Sequence, residues 1–244
     1  MGRARGFRRC GREVCLRVDQ CLLVDGDDTL WENNIYFERA IEEFLDLLAH
    51  ASLSRAGLRQ VLDDVERENC QVYGYGAKSF VRSLHDCYER VHEARATDDH
   101  GKAIAELGER ILRQEPVLIA GVEETLAGLR TRHRLVLLTK GDHEEQAAKV
   151  ERSRLGPLFE RIVIVPEKTV ETYSTVVEDL KADTARTWMI GNSPKSDIVP
   201  ALAAGLGAVY VPHPDTWVLE HHPFPEATER LLQVERFTDL AEHF

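Results

Sequence analysis

The sequence has no long hydrophobic run. Its 244 residues are 43% hydrophobic, but the longest apolar runs are short segments such as 22–24 and 135–138. A membrane-spanning helix needs about 18 or more consecutive apolar residues, so the sequence predicts a protein that does not span a membrane. With 30% charged residues, the chain has the composition of a globular protein that buries a substantial core.

The sequence also has few cysteines. The five cysteines, an odd number, include no Cys-x-x-Cys pair, which argues against a disulfide framework or a structural zinc site. The ten histidines show no His-Glu-x-x-His spacing and carry no predicted metal site. This cysteine usage predicts a reducing, cytoplasmic environment.

Positive charge is scarce except at one end of the chain. The formal net charge of −11 argues against a general nucleic-acid or anionic-membrane binder, which needs a basic face. Residues 1–17 contain six arginines and a single acidic residue, Glu13. This segment lacks the apolar centre of a secretory signal and the Ser/Thr content of a transit peptide. We therefore predict that 1–17 is a disordered basic tail, or that it precedes the true start of the protein.

The hydrophobic pattern changes twice along the chain. Residues 20–25 form a short apolar run that ends in Asp and Gly, typical of a buried strand. Apolar residues then recur at helical spacing in four stripes from 31 to 115, which predicts a small helical bundle. After Pro116, strands and helices alternate, which predicts a parallel α/β sheet. We interpret the chain as a Rossmann-like core, residues 18–30 and 116–244, with an inserted helical cap domain, residues 31–115.

Local signals place the elements after Pro116. Asp142 and Glu145 have the spacing of a capping box, which predicts a helix beginning there. Ser193 and Pro194 are a predicted cap and first residue of a later helix. The last thirty residues are predicted to form a loop and then a short helix. Strands are predicted at 135–139, 162–165, 187–190 and 208–211, and helices at 123–130, 142–153 and 170–180.

Polar side chains follow each of the first four predicted strands. The carboxyl ends of parallel strands meet at one edge of the sheet, where open α/β sheets bind their ligands. We therefore expect the side chains that follow these strands to converge. They are Asp25, Asp27 and Thr29 after the first strand, Thr139 to Asp142 after the second, Glu167 to Thr169 after the third, and Gly191 to Asp197 after the fourth.

In this order, these residues resemble the four motifs of the haloacid dehalogenase-like hydrolase superfamily. Those motifs are a D-x-D-x-T/V turn, a Ser/Thr, a Lys/Arg, and an acidic G-D-x(4)-D-like loop. The resemblance covers nearly the whole chain after residue 18, and the inserted helices resemble the family's C1 cap. The matching residues are Asp25, Asp27 and Thr29, then Thr139, then Lys168, then Gly191 and Asp197, with Asn192 where the family usually has Asp.

The resemblance implies a phosphatase mechanism for four residues. Asp25 would attack phosphorus to form an aspartyl-phosphate, and Asp27 would act as general acid and base. Thr139 would donate a hydrogen bond to a phosphoryl oxygen, and Lys168 would neutralise developing charge. Lys168 has a rival in Lys181, whose place at a predicted helix end is more typical of a surface cation. The substrate predicted in this way is a small phosphorylated metabolite, with no nucleic-acid or membrane partner.

The same resemblance implies the phosphate-binding and metal-binding residues. Lys140 and Gly141 are predicted to join Thr139 and Lys168 in binding phosphate. Mg²⁺ is the expected cofactor because hard oxygen ligands suit it. Its implied ligands are Asp25, the main-chain carbonyl of Asp27, Asn192 and Asp197.

Two other functions stay open. A 2-haloacid dehalogenase expels halide from an uncharged carbon and needs neither a metal nor a second acid, so Asp27 favours the phosphatase. A non-catalytic binding protein is the other alternative, because the amide of Asn192 brings no negative charge to a metal. Tyr73 and Tyr75, separated by glycine between two predicted helices, are expected to face the substrate. The sequence does not identify the substrate or the oligomeric state.

Overall fold

The computed structural model describes residues 19–48, 53–92 and 96–244. The predicted basic tail, 1–17, lies outside the described residues. The strands are β1 (Cys21–Val24), β2 (Arg134–Lys140), β3 (Arg161–Val165), β4 (Thr187–Gly191), β5 (Gly207–Tyr210) and β6 (Leu231–Gln233). The helices are α1 (Asn34–Leu47), α2 (Arg55–Tyr73), α3 (Ala77–His92), α4 (Asp98–Arg113), α5 (Val122–Leu129), α6 (His143–Ser153), α7 (Val170–Asp179) and α8 (Val199–Ala203).

The six strands form one parallel sheet in the order β3-β2-β1-β4-β5-β6. This confirms the predicted α/β fold. The chain builds the sheet outwards from β1 on one side through β2 and β3, then returns to the other side with β4. Such a reversal next to the first strand opens a crevice at the carboxyl ends of the strands, and this crevice positions the site described below.

The sheet is covered on both faces, as its continuous apolar strands require. Leu22 and Val24 of β1 point into one hydrophobic cluster, which includes α5 and the carboxyl-terminal Phe244. Leu23, one residue out of phase, points into a second cluster with Tyr173 of α7. All three β1 side chains are fully buried, which follows from the alternation of side chains along a strand.

Helices α1 to α4 form a separate hydrophobic cluster, with Phe44, Leu62 and Leu84 among its fully buried residues. This layer connects to the sheet through two chain segments that lie side by side. Glu32 N donates to the carbonyl of Val117 (2.9 Å), and Trp31 forms an antiparallel bridge with Leu118. The division of the chain into domains at residues 31 and 115 stays a prediction. Within the described ranges, no helix has the length and hydropathy to cross a membrane.

The structure corrects the predicted capping box of α6. Asp142 caps the helix as expected, accepting hydrogen bonds from Glu144 N and Glu145 N. The carboxylate of Glu145 does not return to Asp142; it accepts a hydrogen bond from Ala77 N, the first residue of α3 (2.8 Å). Gly76 permits this approach, because a Cβ there would lie 2.7 Å from Glu145 Oε2. An unsatisfied N–H at the start of α3 thus competes successfully for Glu145.

The carboxyl-terminal prediction was incomplete. The last residues include β6, which pairs with β5, and then a 3₁₀ helix over Phe237–Glu242. A three-residue strand is too short for a hydrophobic period to be recognised. The adjacent long loop, from Val211 to Arg230, crosses over the site and contributes residues that the strand-end argument does not reach.

Candidate active site

A cavity of about 380 Å³ lies between the carboxyl edge of the sheet and helices α1 to α3. Its lining includes all eight residues predicted to be catalytic, phosphate-binding or metal-binding. The topology explains this convergence, because β1, β2 and β4 are neighbours and end at the same edge. Those eight residues are Asp25, Asp27, Thr139, Lys140, Gly141, Lys168, Asn192 and Asp197.

Lys168 lies between two buried carboxylates. Its Nζ donates to Asp25 Oδ1 (2.5 Å) and to Asp197 Oδ1 (2.7 Å), and Asp197 is 0% exposed. Burial and the charge of Asp197 raise the pKa of Asp25, against the opposing charge of Lys168. Burial lowers the pKa of Lys168, but the charges of Asp197 and Asp25 outweigh it, so that the pKa is raised and the ammonium form is favoured. One ammonium ion thus serves two carboxyl groups.

A single turn of π-helix, Pro194–Ile198, positions Asp197. Ser193 N donates to Asp197 Oδ2 (2.9 Å), which fixes the carboxylate against the end of β4. Gly191 is required there, because a Cβ at this position would lie 2.2 Å from Asp197 Oδ2. π-turns of this kind are found mostly at functional sites.

Thr29 connects the first motif to the fourth. Its hydroxyl lies 3.3 Å from both Asp25 Oδ2 and Asn192 Oδ1, and it accepts a hydrogen bond from Asn192 N (3.1 Å). Asn192 Nδ2 donates to Thr216 Oγ1 (3.0 Å) in the loop after β5. The amide that replaces the usual acid is therefore held by side chains from two loops.

The donor set at this edge fits a hard divalent cation. Asp25, Asn192 and Asp197 offer only oxygen atoms, and so does the Asp27 carbonyl. Oxygen ligands suit Mg²⁺ rather than a soft metal. A bound cation would add positive charge beside Asp25 and Asp197, which share the one ammonium group of Lys168.

Asp27 is held apart from Asp25 by donors on other elements. Lys149 Nζ donates to both of its carboxylate oxygens (2.8 and 2.9 Å), Gln146 Nε2 to Oδ2 (2.8 Å) and Trp31 Nε1 to Oδ1 (2.7 Å). Burial raises the pKa of Asp27, but the charge of Lys149 and these hydrogen bonds outweigh it, and the pKa is lowered. Asp27 is therefore ionised when the cavity holds no substrate.

Sequence reasoning missed Gln146 and Lys149. They lie three residues apart on α6, and side chains at this spacing share one helix face. The signal was present, since a helix that begins directly after β2 must turn one face of its first two turns towards the strand ends.

Lys140 is enclosed in a polar network. Its Nζ donates to Glu220 Oε1 (2.6 Å) and to Ser196 Oγ (2.9 Å). Glu220 Oε2 accepts hydrogen bonds from Ser193 Oγ and Ser196 Oγ, both at 2.5 Å. Burial raises the pKa of Glu220, but Lys140 and these donors outweigh it and lower the pKa to about 2. The ammonium that was predicted to bind phosphate is thus already paired with a protein carboxylate.

The other predicted phosphate-binding residues lie next to this network. Thr139 is buried at the end of β2 and lines the cavity. Gly141 has a φ of +142°, and a Cβ there would lie 2.9 Å from Gln146 Nε2. Glycine at 141 therefore allows Gln146 to reach Asp27.

Only one of the two tyrosines behaves as predicted. The ring of Tyr75 lies 4.1 Å from Lys140 Nζ, and its hydroxyl donates to Glu167 Oε2 (2.5 Å), so that Tyr75 lines the cavity. Tyr73, in contrast, is the last residue of α2, is 52% exposed and packs on Arg82. The helix continues as far as Gly74, and this carries the Tyr73 ring away from the site.

A second group of metal-ligating atoms lies at one side of the cavity. Ligand atoms of Asp28, Glu32 and His213 lie within 4.8 Å of one another, an arrangement that can hold a cation. Asp28 Oδ1 also accepts hydrogen bonds from Asn33 N and Asn34 N, and thus caps the start of α1. His213 Nε2 lies 3.2 Å from Glu32 Oε2. Asp28 and His213 thus already take part in hydrogen bonds within the protein, and Glu32 lies against His213.

Comparisons with known proteins agree with the observed fold. The model of a family of hydrolases, the haloacid dehalogenase-like hydrolases, matches residues 20–205. A haloacid dehalogenase-like family hydrolase from Xanthomonas campestris is 34% identical, with a TM-score of 0.80 over 92% of this chain and 91% of that one. A search of the curated proteins finds no match.

More distant structures share the fold and carry different chemistries. A 2-haloacid dehalogenase from Pseudomonas syringae is 19% identical, with a TM-score of 0.59 over 92% of this chain and 97% of that one. A protein described as a predicted phosphoglycolate phosphatase, from Haemophilus somnus, is 15% identical, with a TM-score of 0.60 over the same shares of the two chains. The likeness in fold therefore does not choose between dehalogenase and phosphatase.

Proposed function

Because the chain belongs to the haloacid dehalogenase-like hydrolase family, we propose that it is a magnesium-dependent phosphomonoester hydrolase of small phosphorylated metabolites. One observation carries the proposal: a second carboxylate, Asp27, lines the cavity beside Asp25 and has its own set of donors. Transfer of a phosphoryl group to Asp25 expels an alcohol that must be protonated, which a second carboxyl group can do. Halide leaves without a proton, so that a dehalogenase has no use for Asp27.

In the proposed reaction, an Asp25 oxygen attacks phosphorus and the bond to the leaving alcohol breaks, with the proton supplied by Asp27. Asp27 then takes a proton from the water that hydrolyses the aspartyl-phosphate. Lys168 is placed to neutralise charge on Asp25, and Thr139 to donate to a phosphoryl oxygen. A magnesium ion, held by Asp25, the Asp27 carbonyl, Asn192 and Asp197, would supply positive charge that offsets the repulsion between carboxylate and phosphate.

Lys149 gives Asp27 a route between its two roles. While Lys149 is paired with Asp27, the acid is ionised and suited to act as a base. A phosphate group entering the cavity competes for the same ammonium. Loss of that partner raises the pKa of Asp27 towards the protonated form that the first step needs.

The retained charges argue against a non-catalytic protein. Asp25, Lys168 and Asp197 are buried together, and a buried ion cluster is weak as a source of stability, because desolvation offsets much of its attraction. Its retention is better explained by chemistry. The free cysteines among the described residues, Cys21, Cys70 and Cys87, fit the cytoplasm as the proposed location.

The test is hydrolysis of p-nitrophenyl phosphate, with magnesium and with EDTA. We expect turnover that requires magnesium, a loss of roughly 10³-fold or more in kcat for Asp25→Asn, and a loss of about 10²- to 10⁴-fold for Asp27→Asn. Asp179→Asn, at an exposed position at the end of α7, is the matched control and keeps wild-type activity.

Two results would overturn the proposal. One is turnover that EDTA leaves unchanged, and the other is metal-independent release of chloride from 2-chloropropionate, which identifies a dehalogenase. Asn192→Asp separates weak metal binding from an inactive site, since an added carboxylate lowers the magnesium concentration needed for half-maximal activity.

A further inference from the structure

Helices α1 to α3 form one wall of the cavity, the helical wall, and the ends of the strands form the other, the sheet wall. The helical wall carries two buried polar atoms without partners among the described residues. Glu66 of α2 and Ser79 of α3 both line the cavity and are 5% and 6% exposed. Among the described residues, neither Glu66 Oε2 nor Ser79 Oγ has a hydrogen-bond partner. Nearly all buried polar atoms in proteins are paired, so two such atoms facing one cavity indicate a missing ligand group.

Arg59 is the cation that opposes the raised pKa of Glu66, and other carboxylates already bind it. It lies about two helical turns before Glu66 on α2 and is bound by Glu38 (2.5 and 2.9 Å) and Asp63 (2.8 Å). Burial and the charge of Asp63 raise the pKa of Glu66 to about 8, although the charge of Arg59 and a hydrogen bond from the Trp217 side chain oppose them. Two carboxylates therefore share one guanidinium beside Glu66, and the local field favours an incoming positive charge.

The helical wall also carries aromatic and aliphatic side chains. Phe37 and Phe80 line the cavity with their rings edge to face at 5.1 Å, and Ile41 lies with them. Across the whole lining, carboxylic acids outnumber lysines and arginines by two to one. Glu66 is the single acid among the cavity-lining residues of α1 to α3, and the lining as a whole is rich in acids.

We propose that the cavity selects phosphomonoesters that carry a cationic nitrogen at the end remote from the phosphate, with Glu66 as the counter-ion and Ser79 Oγ as a further acceptor. This inference rests on the proposed function and names its substrate class. The phosphate lies at the sheet edge by Asp25 and Lys168, and the ammonium lies at the helical wall. An ammonium group beside Glu66 favours the ionised acid and pairs with it, whereas a neutral group leaves the acid protonated and gains at most a hydrogen bond.

The kinetic test compares aminoalkyl phosphates of two to four carbons with n-alkyl phosphates of equal length. We expect the wild type to favour the amine in kcat/KM by at least about tenfold at its preferred length. Glu66→Gln should bring that ratio close to one, and Glu66→Asp should retain part of it. Glu68→Gln, the same substitution at an exposed site on α2 that pairs with Arg90, is the control and keeps the wild-type ratio.

A binding test separates this inference from the proposed function. Calorimetry on Asp25→Asn, with and without Glu66→Gln, measures the affinity of the preferred aminoalkyl phosphate and of its n-alkyl equivalent without turnover. Amine-dependent affinity that disappears with Glu66→Gln supports the cation site even if no phosphatase activity is found. Hydrolysis of p-nitrophenyl phosphate without any preference for the amine overturns the cation site and leaves the phosphatase proposal standing.

Ser79→Ala provides a second test that does not depend on whether the Glu66 variants fold. It removes one acceptor without touching the charge, and we expect a smaller fall in the amine preference. If Glu66→Gln folds, as judged by circular dichroism, and the ratio stays at the wild-type value, the inference is wrong.

Discussion

Glu66 and Glu220 are both buried glutamates of the same cavity, and their carboxyl groups are in opposite states. Glu220, on the loop that follows β5, pairs with Lys140 and accepts from two serines, and its pKa falls to about 2. Glu66, on α2, has an unpartnered oxygen and a pKa raised to about 8. Both side chains are similarly buried, since Glu220 is 8% exposed and Glu66 is 5% exposed. The difference therefore comes from the partners and not from depth.

The contrast extends to the two walls. The charged side chains that follow the strands pair with one another, which holds them in place, as preorganised electrostatics require. The helical wall has an acid and a hydroxyl in need of partners. Under the two proposals, the sheet wall carries out a reaction that is the same for every substrate, and the helical wall recognises a particular one.

Removing the cation from Glu220 should make it resemble Glu66, and this is the largest effect we expect. Lys140→Met leaves the Glu220 carboxylate buried without its ammonium and should lower the free energy of unfolding by about 3 kcal/mol at pH 7. The stabilisation by a carboxylate with a lowered pKa is present above its unfolded pKa and is lost as pH falls towards its folded pKa of about 2. Urea unfolding should therefore show a smaller defect at pH 3 than at pH 7.

Lys181→Met, at an exposed lysine, is the control for that measurement and should change stability by no more than about 0.5 kcal/mol. If Lys140→Met is as stable as Lys181→Met at pH 7, the network around Glu220 does not hold it in the ionised state.

Replacing Glu66 should give the opposite pH dependence, with a smaller magnitude. Because its pKa in the folded state is about 8, above the ordinary 4.5, the fold favours the protonated acid. The wild type therefore loses stability relative to Glu66→Gln as pH rises from 5.5 to 7, by about 2 kcal/mol. Thermal unfolding of both proteins across this range measures the difference, and a difference that does not change with pH contradicts the raised pKa.

The smallest effect on stability should come from Tyr75, which follows α2 and contacts Lys140 and Glu167 at the sheet edge. Tyr75→Phe removes the hydroxyl that donates to Glu167 but keeps the ring over Lys140, and it should cost about 0.5–1 kcal/mol in unfolding free energy. Tyr73→Phe removes an exposed hydroxyl from the same segment and should cost nothing measurable. Equal stability of the two variants would show that the Tyr75 hydroxyl contributes no more than solvent does.

The sheet and its strand-end residues could be predicted from the sequence because both depend on local patterns. An apolar run ending in Asp25 fixes a strand, and parallel strands bring their following residues to one edge whatever lies between them. The family resemblance then supplied roles for Thr139 and Lys168. The role assigned to each of these residues stays a prediction until the variants are measured.

The partners of those residues could not be predicted in the same way. Glu220 reaches Lys140 from a loop 80 residues further along the chain, and no pattern in that loop marks it. Glu66 lies on the inward face of an amphipathic helix. By spacing alone, a charged residue there cannot be distinguished from one at the edge of the polar face. Contacts between distant segments decide both cases, and they become visible only in three dimensions.

The bond from Glu145 to Ala77 N has a consequence for the order in which the protein assembles. The first turn of α3 is capped by a residue 68 positions later, on a helix that follows the second strand of the sheet. While the chain emerges from the ribosome, the inserted helices are synthesised first, and this cap arrives only afterwards. Helix α3 therefore gains this cap only after β2 and α6 have been synthesised. The last step in forming the helical layer thus depends on a part of the chain that belongs to the sheet.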